Sequence, residues 1–105
     1  MEKIEKLLTY LNSQPDDPFL KHALGLEYIK QGRQEEAKKL FLEILTRDPS
    51  YIGTYYHLAK IFESGNDPEM AKIWYEKGLL EAKKAGERHA LNELQSALDL
   101  LLDES

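Results

Sequence analysis

The apolar residues of this chain fall into segments of about a dozen to eighteen residues that are rich in Leu, Ala, Glu, Lys and Tyr. In the first segment, Ile4, Leu7, Leu8 and Leu11 recur at helical spacing. Segments of this length and composition favour helices, and none carries the signal of a strand. The pattern therefore predicts an all-α fold with six helices, at about residues 2–13, 18–31, 34–47, 52–64, 68–85 and 87–102.

Local signals mark several of the helix ends. The dipeptides Asp17-Pro18 and Asp67-Pro68 each place an Asp at an N-cap and a Pro at the first helical position, where its missing N–H costs nothing. Three glycines stand where a helix would end in a left-handed residue, namely Gly32, Gly65 and Gly86.

A shift of 34 residues brings like residues of the chain into register. Leu11 aligns with Leu45 and Leu79, and Pro15 aligns with Pro49. The same shift pairs residues of like size at five further positions: Leu24 with Leu58, Gly25 with Ala59, Tyr28 with Phe62, Ala37 with Ala71, and Phe41 with Tyr75. Because so many matches in one register do not arise by chance, the chain contains an internal repeat of paired helices.

This period resembles the tetratricopeptide repeat (TPR), whose pattern is W-x2-L-G-x2-Y…A-x3-F…P. The first full copy reads Lys21-x2-Leu24-Gly25-x2-Tyr28…Ala37-x3-Phe41…Pro49, and the second reads Tyr55-x2-Leu58-Ala59-x2-Phe62…Ala71-x3-Tyr75. The chain departs from the pattern at Lys21, where the aromatic opener would stand, and at Lys83, where the closing Pro would fall. The resemblance implies helical hairpins arranged in a right-handed α-α superhelix.

The resemblance covers nearly the whole chain and implies a single TPR domain over residues 1–105. The first helix looks like the second helix of a repeat whose first helix is missing. The last helix fits the pattern after a shift of 36 residues, with a polar outer face suited to ending a stack. The predicted parts are a half-repeat helix (2–15), TPR 1 (18–51), TPR 2 (52–85) and a capping helix (86–105).

The small residues of the pattern have a packing role. A larger side chain at Gly25, Ala37, Ala59 or Ala71 would hold apart two helices that must approach closely. The pattern aromatics fill the space beside them, and they are Tyr28, Phe41, Phe62 and Tyr75.

The first helix of each repeat has a second face, opposite the core side that Leu24 and Tyr28 mark. In the TPR family these helices line a concave surface that holds an extended or helical peptide. Of the four such positions on the first helix of TPR 1, three are apolar and one is a histidine, which exceeds what a solvated face carries. A peptide or protein segment would cover this face, or alternatively a second copy of the chain in a structural homodimer. The predicted contact residues are Phe19, His22, Leu26, Ile29, Tyr56 and Lys60.

The sequence offers little to catalysis. It has no Cys, no Gly-rich phosphate loop, no HExxH and no GxSxG, so no enzyme, catalytic residue, cofactor or metal is predicted. A metal site would need His22, His57 and either Glu27 or Glu63 as ligands. The simpler interpretation is that the two histidines are ordinary, partly exposed residues of the groove. Some members of the TPR family bind the C-terminal carboxylate of a chaperone tail with a clamp of Lys, Asn and Arg. The matching positions here hold His22, Leu26 and His57, so chaperone tails are not expected partners.

Composition and charge limit the classes of partner that the chain can bind. The 105 residues include 14 Lys and Arg against 19 Asp and Glu, which gives a formal charge of −5. This negative charge argues against nucleic acid and acidic membranes as partners. Together with the 34-residue repeat, it also argues against the class of small helix-turn-helix DNA-binding proteins. No apolar run approaches the roughly 18 residues that cross a bilayer, and the N-terminus does not read as a secretory signal, so a cytoplasmic location is expected.

Overall fold

The computed structural model describes residues 2–104, which form six α-helices and no strand. Met1 and Ser105, the ends of the predicted 1–105 domain, lie outside the described residues. The all-α prediction is confirmed, and the predicted helix bounds hold within two residues. The largest difference is in the last helix, which ends at Glu104 rather than at 102. The helices are α1 (Glu2–Ser13), α2 (Pro18–Lys30), α3 (Gln34–Arg47), α4 (Gly53–Ser64), α5 (Pro68–Ala85) and α6 (Arg88–Glu104).

The two predicted N-caps are confirmed. A carboxylate oxygen of Asp17 accepts hydrogen bonds from the backbone N–H of Phe19 at 2.9 Å and of Leu20 at 3.3 Å. The Asp67 carboxylate accepts one from the N–H of Met70 at 3.2 Å. Each Asp therefore satisfies helical N–H groups that would otherwise lack a partner.

Three residues at helix ends adopt the left-handed conformation, and one of them is not a glycine. Gly32 and Gly86 have φ of 74° and 69°, as the sequence predicts. The prediction for Gly65 is wrong, because its φ is −89° and Asn66 takes the left-handed position with φ of 60°. Asn66 stands 34 residues after Gly32, and Asn is among the residues that tolerate this conformation.

The helices form two compact units, with α1–α3 in the unit that extends to Asp48 (unit 1) and α4–α6 in the unit that begins at Pro49 (unit 2). In unit 1, α2 packs on both α1 and α3, and in unit 2, α5 packs on both α4 and α6. The division into a half-repeat, two repeats and a cap is a reading of the sequence period and stays a prediction.

In unit 1 the core lies where α2 meets α3. Leu24, Ala37 and Phe41 are at most 2% exposed. A Cβ atom added to Gly25 would lie 2.4 Å from Cε1 of Phe41. The ring thus occupies the space that the missing side chain leaves, which agrees with the close helix approach that the pattern predicts.

In unit 2 the close approach involves both neighbours of α5. A Cβ atom on Gly78 would lie 2.7 Å from Cβ of Tyr55 on α4 and 3.0 Å from Cδ1 of Leu94 on α6. Tyr75 is fully buried, whereas Phe62 is only half-buried. Gly78 lies outside the TPR pattern, so the sequence period did not single it out.

The exposed positions of α6 are mostly polar, as the capping role predicts, but two of them are leucines. Leu100 and Leu102 are 63% and 47% exposed. These leucines lie beside the buried stripe of α6, which consists of Leu94, Ala97, Leu98 and Leu101. The apolar face of α6 is therefore wider than α5 can cover.

Candidate functional site

Helix α2 is the least amphipathic of the six helices, because it carries apolar residues on both of its sides. Its core side is buried and consists of Lys21, Leu24, Gly25 and Tyr28. A helix that is apolar all round is typical of a buried position. The other side of α2 carries the predicted contact residues Phe19, His22, Leu26 and Ile29.

These four side chains are not equally accessible. Phe19 lies in the first turn of α2 and is 65% exposed, the highest value among the large hydrophobic residues of the described chain. His22, Leu26 and Ile29 are half-buried. The His22 ring lies 5.5 Å from the ring of Phe41 on α3, so His22 rests against the unit 1 core.

In unit 2 the predicted residues Tyr56 and Lys60 lie next to each other on α4. The half-buried Tyr56 ring contacts the His57 ring edge-on, with centroids 5.5 Å apart, and lies 6.4 Å from the Tyr75 ring. Nζ of Lys60 is 5.7 Å from the centre of the Tyr56 ring and 3.6 Å from Oε2 of Glu63. The aromatic ring, the ammonium and the carboxylate thus form one polar-aromatic cluster.

Glu63 anchors this cluster to the core of unit 2. The hydroxyl of the buried Tyr75 donates a hydrogen bond to the Glu63 carboxylate. Burial, followed by this bond and the Glu63 charge, raises the pKa of Tyr75 well above its usual range. Sequence reasoning placed Tyr75 in the core but missed this bond, because no local pattern relates residues that lie 12 positions apart on two helices.

The protonation of His57 depends on its burial. Burial lowers its pKa below the ordinary value of 6.5, and the negative charge of Glu93 on α6 opposes this effect. The neutral imidazole is therefore the form that the fold favours at pH 7.

The structure places the predicted contact residues in two sets. Phe19, His22, Leu26 and Ile29 belong to α2 in unit 1, and Tyr56 and Lys60 belong to α4 in unit 2. Within residues 2–104, no three His, Asp or Glu side chains are grouped so that they could hold a metal ion. Among the same residues, no helix combines the length and the apolar character needed to cross a membrane.

Comparison with known proteins identifies relatives of this fold. The family model described as tetratricopeptide repeat matches residues 1–75. The chain is similar to a TPR domain protein from Salinibacter ruber solved by NMR, with 38% identity, a TM-score of 0.79, and coverage of 83% of this chain and 88% of that chain. A crystal structure of a TPR domain protein from the same organism gives 36% identity, a TM-score of 0.82, and coverage of 85% and 99%.

A third similar structure extends the likeness over most of the chain. It is the solution structure of a protein from Bordetella parapertussis, with 28% identity, a TM-score of 0.84, and coverage of 96% of this chain and 88% of that chain. No curated protein matches the chain significantly. The family model and the two structures from Salinibacter ruber confirm the resemblance to the tetratricopeptide repeat family.

Proposed function

This chain belongs to the tetratricopeptide repeat family, and we propose that it is a non-catalytic module that binds a peptide or protein segment. TPR domains generally mediate protein–protein interactions. The proposed contact residues lie on the faces of α2 and α4 that do not carry the core, and they are Phe19, His22, Leu26, Ile29, Tyr56 and Lys60.

The observation that carries this proposal is the exposure of Phe19 on a helix that is apolar on both sides. A phenylalanine that is 65% exposed leaves most of its ring in water. Burying a side chain of this size in a partner stabilises a complex by about 1.5–3 kcal/mol. Aromatic residues of this kind are enriched among the side chains that carry most of the energy of an interface.

The cluster on α4 supports the proposal in a different way. Contacts with His57 and Tyr75 hold the Tyr56 ring in place, and Glu63 and the ring face hold Lys60. Because contacts already restrain these side chains, they lose less conformational entropy when a partner binds. The half-exposed Lys60 ammonium offers the partner a hydrogen-bond donor beside an aromatic surface.

The test compares two double variants that each remove two large side chains with exposed apolar surface. The contact variant is Phe19→Ala with Tyr56→Ala, and the matched control is Tyr10→Ala with Leu80→Ala, whose side chains are 56% and 62% exposed. We expect both variants to keep the helicity of the wild type, because no fully buried residue is changed. Partners captured from native extract should be lost in the contact variant and retained in the control.

A core variant separates loss of binding from loss of fold. Leu24→Asp with Phe62→Ala buries an unpaired charge and opens a cavity, and it should unfold the protein. If the contact variant loses its circular dichroism signal as the core variant does, Phe19 and Tyr56 serve the fold and the proposal is wrong. It is also wrong if the contact variant captures the same proteins as the wild type.

The same variants decide the alternative function, a structural homodimer. Sedimentation velocity over a range of concentrations would then show a dimer without added ligand, and the contact variant would be a monomer. A wild type that stays monomeric at all concentrations excludes the homodimer and leaves the binding of a partner segment as the proposal.

A further inference from the structure

Lys21 is a buried lysine at a position where the second repeat has an aromatic residue. It is 8% exposed, and its Nζ lies 3.5 Å from Oε1 of Glu43 on α3. Its counterpart 34 residues later, Tyr55, is 3% exposed and donates its hydroxyl hydrogen to the carbonyl oxygen of Pro49 at 2.5 Å. Pro15 occupies the matching place before Lys21. An ammonium thus stands in unit 1 where unit 2 has a buried ring.

A trough of about 430 Å³ lies beside Lys21, with α2 as its floor and α1 and α3 as its walls. We call it the unit 1 trough. Its middle is apolar and is lined by Leu8 and Leu11 of α1, Leu24 of α2 and Leu40 of α3. This volume lies in the range of small-molecule sites, which are mostly apolar with a few polar groups.

The end of the trough at Lys21 is lined by charged side chains of both signs. Two further hollows, of about 280 and 530 Å³, also reach Lys21, and Arg47 lines both of them. Arg47 pairs with Asp16 at 3.4 Å, and Lys21 pairs with Glu43. Lys39 lines the trough and makes no ion pair with any residue in the range 2–104. Four carboxylates line the same sites, namely Asp16, Glu36, Glu43 and Asp48. Because Glu36 pairs with Arg33, and Lys21 and Arg47 have partners of their own, Lys39 is the lining cation whose charge no ion pair among the described residues offsets.

We propose that the unit 1 trough binds a small monocarboxylate with an unbranched apolar chain. The chain would lie over the four leucines, and the carboxylate would lie between Lys21 and Lys39. The Glu43 side chain is 44% exposed, so it has room to turn toward solvent and release Lys21 to the ligand. A charge-assisted bond to a nearly buried ammonium is stronger than the same bond in water.

The dimensions of the trough favour a single chain over a protein segment. Along α2, Lys21 and Tyr28 are seven residues apart, which is roughly 10 Å of helix. An α-helix with its side chains is itself about 10 Å wide, so the trough is too small to take in a helix. This site lies on the side of α2 that faces α1 and α3, and it is distinct from the face that carries Phe19 and Leu26.

The first experiment is a titration of the 15N-labelled protein with octanoate, followed by NMR. We expect amide shifts confined to the lining residues of α1, α2 and α3. Butyrate, which has the carboxylate without the long chain, should shift these amides much less, and octylammonium, which has the chain with the opposite charge, should not bind. Equal binding of octanoate and octylammonium, or no shift with octanoate, overturns the proposal.

Surface variants give the sign of the charge effect. Glu43→Gln removes the carboxylate that competes for Lys21, so octanoate should bind about two- to fivefold more tightly, the factor expected from a partly exposed ion pair. Lys39→Gln should weaken binding by a similar factor. Lys72→Gln changes an exposed lysine on α5 and serves as the control that leaves the affinity unchanged. Unchanged affinity in Glu43→Gln and Lys39→Gln would overturn the proposed position of the carboxylate.

A filling variant tests the trough itself. Lys21→Tyr gives unit 1 the residue that unit 2 has at this position, with Pro15 in place to accept the hydroxyl hydrogen as Pro49 does for Tyr55. We expect a folded protein that no longer binds octanoate. If Lys21→Tyr is folded and still binds octanoate, the ligand does not lie in the trough and the proposal is wrong. If the trough amides shift when the protein concentration alone is raised, a second copy of the chain fills the trough and the proposal is also wrong.

Discussion

Gly25 lies so close to Phe41 that a Cβ atom on Gly25 would stand 2.4 Å from Cε1 and 2.8 Å from Cζ of the ring. Phe41 is fully buried and has no space into which to move. The absence of a side chain on α2 and the position of the ring on α3 therefore depend on each other.

This contact predicts the effect of Gly25→Ala. Alanine favours a helix by about 1 kcal/mol over glycine, but overpacking a core costs about 1–3 kcal/mol, so we expect a net loss of stability. Urea unfolding measures it. Gly53→Ala is the control, because a Cβ there meets nothing within 4 Å. A Gly25→Ala protein as stable as its Gly53→Ala counterpart would contradict the close contact.

The two fully buried alanines of the repeats predict a similar cost for larger side chains. Ala37→Leu and Ala71→Leu should each lower the free energy of unfolding by about 1–3 kcal/mol, because neither residue has exposed surface. Glu35→Leu should change it by less than about 0.5 kcal/mol, since the Glu35 side chain is 84% exposed. Urea midpoints that do not separate these variants would argue against the repeat alignment.

The hydrogen bond from Tyr75 to Glu63 should contribute measurably to the stability of unit 2. Tyr75→Phe removes the donor to a carboxylate that is 21% exposed, and we expect a loss of about 1–2 kcal/mol. A double-mutant cycle with Glu63→Gln isolates the coupling between the two side chains. Tyr10→Phe, at a residue that is 56% exposed, should have little effect. A coupling energy near zero would show that the bond adds nothing.

His57 should make stability depend on pH. Its pKa in the fold lies below the ordinary value of 6.5, so below that value the unfolded state binds more protons than the folded state. The stabilisation of the fold by neutral His57 is fully present above pH 6.5 and is lost as the pH falls through the pKa of His57 in the folded protein. Urea unfolding at several pH values should therefore show a smaller loss of stability on acidification in His57→Gln than in the wild type.

His89→Gln is the matched control for this measurement. His89 is exposed near the start of α6, so His89→Gln shows the effect of the same substitution at a side chain that is not buried. If His57→Gln and the wild type lose stability in parallel from pH 7 to pH 5, the buried environment of His57 does not determine the acid response.

Short-range chemistry explains why the helices could be predicted. The Asp17 and Asp67 caps satisfy N–H groups two or three residues away, so they are visible in a short stretch of sequence. After α4 the local preference for glycine points to Gly65 as the left-handed residue, whereas the 34-residue period points to Asn66, which adopts that conformation. There the repeat carries more information than the local preference.

The contact residues on α2 and α4 were identified by their helical face and by family resemblance, and their role in binding stays a prediction. The exposure of Phe19 and the half-burial of Leu26 are properties of the folded chain that a helical wheel does not distinguish. The exposed side chains of Leu100 and Leu102 were likewise not predicted from the sequence, because the capping role of α6 predicted a polar surface. Accessibility depends on how far each neighbouring helix extends over a face.

The sequence by itself determined the class of fold, the helix bounds within two residues and the pairing of small with aromatic positions, because each follows from periodicity, local capping and side-chain volume. Only the tertiary structure decided that Tyr75 donates to Glu63 and that Lys21 lies buried beside Glu43 at the end of a trough. These contacts join different helices, and their distances depend on how two side chains meet across a packed interface. No pattern along one helix contains that information.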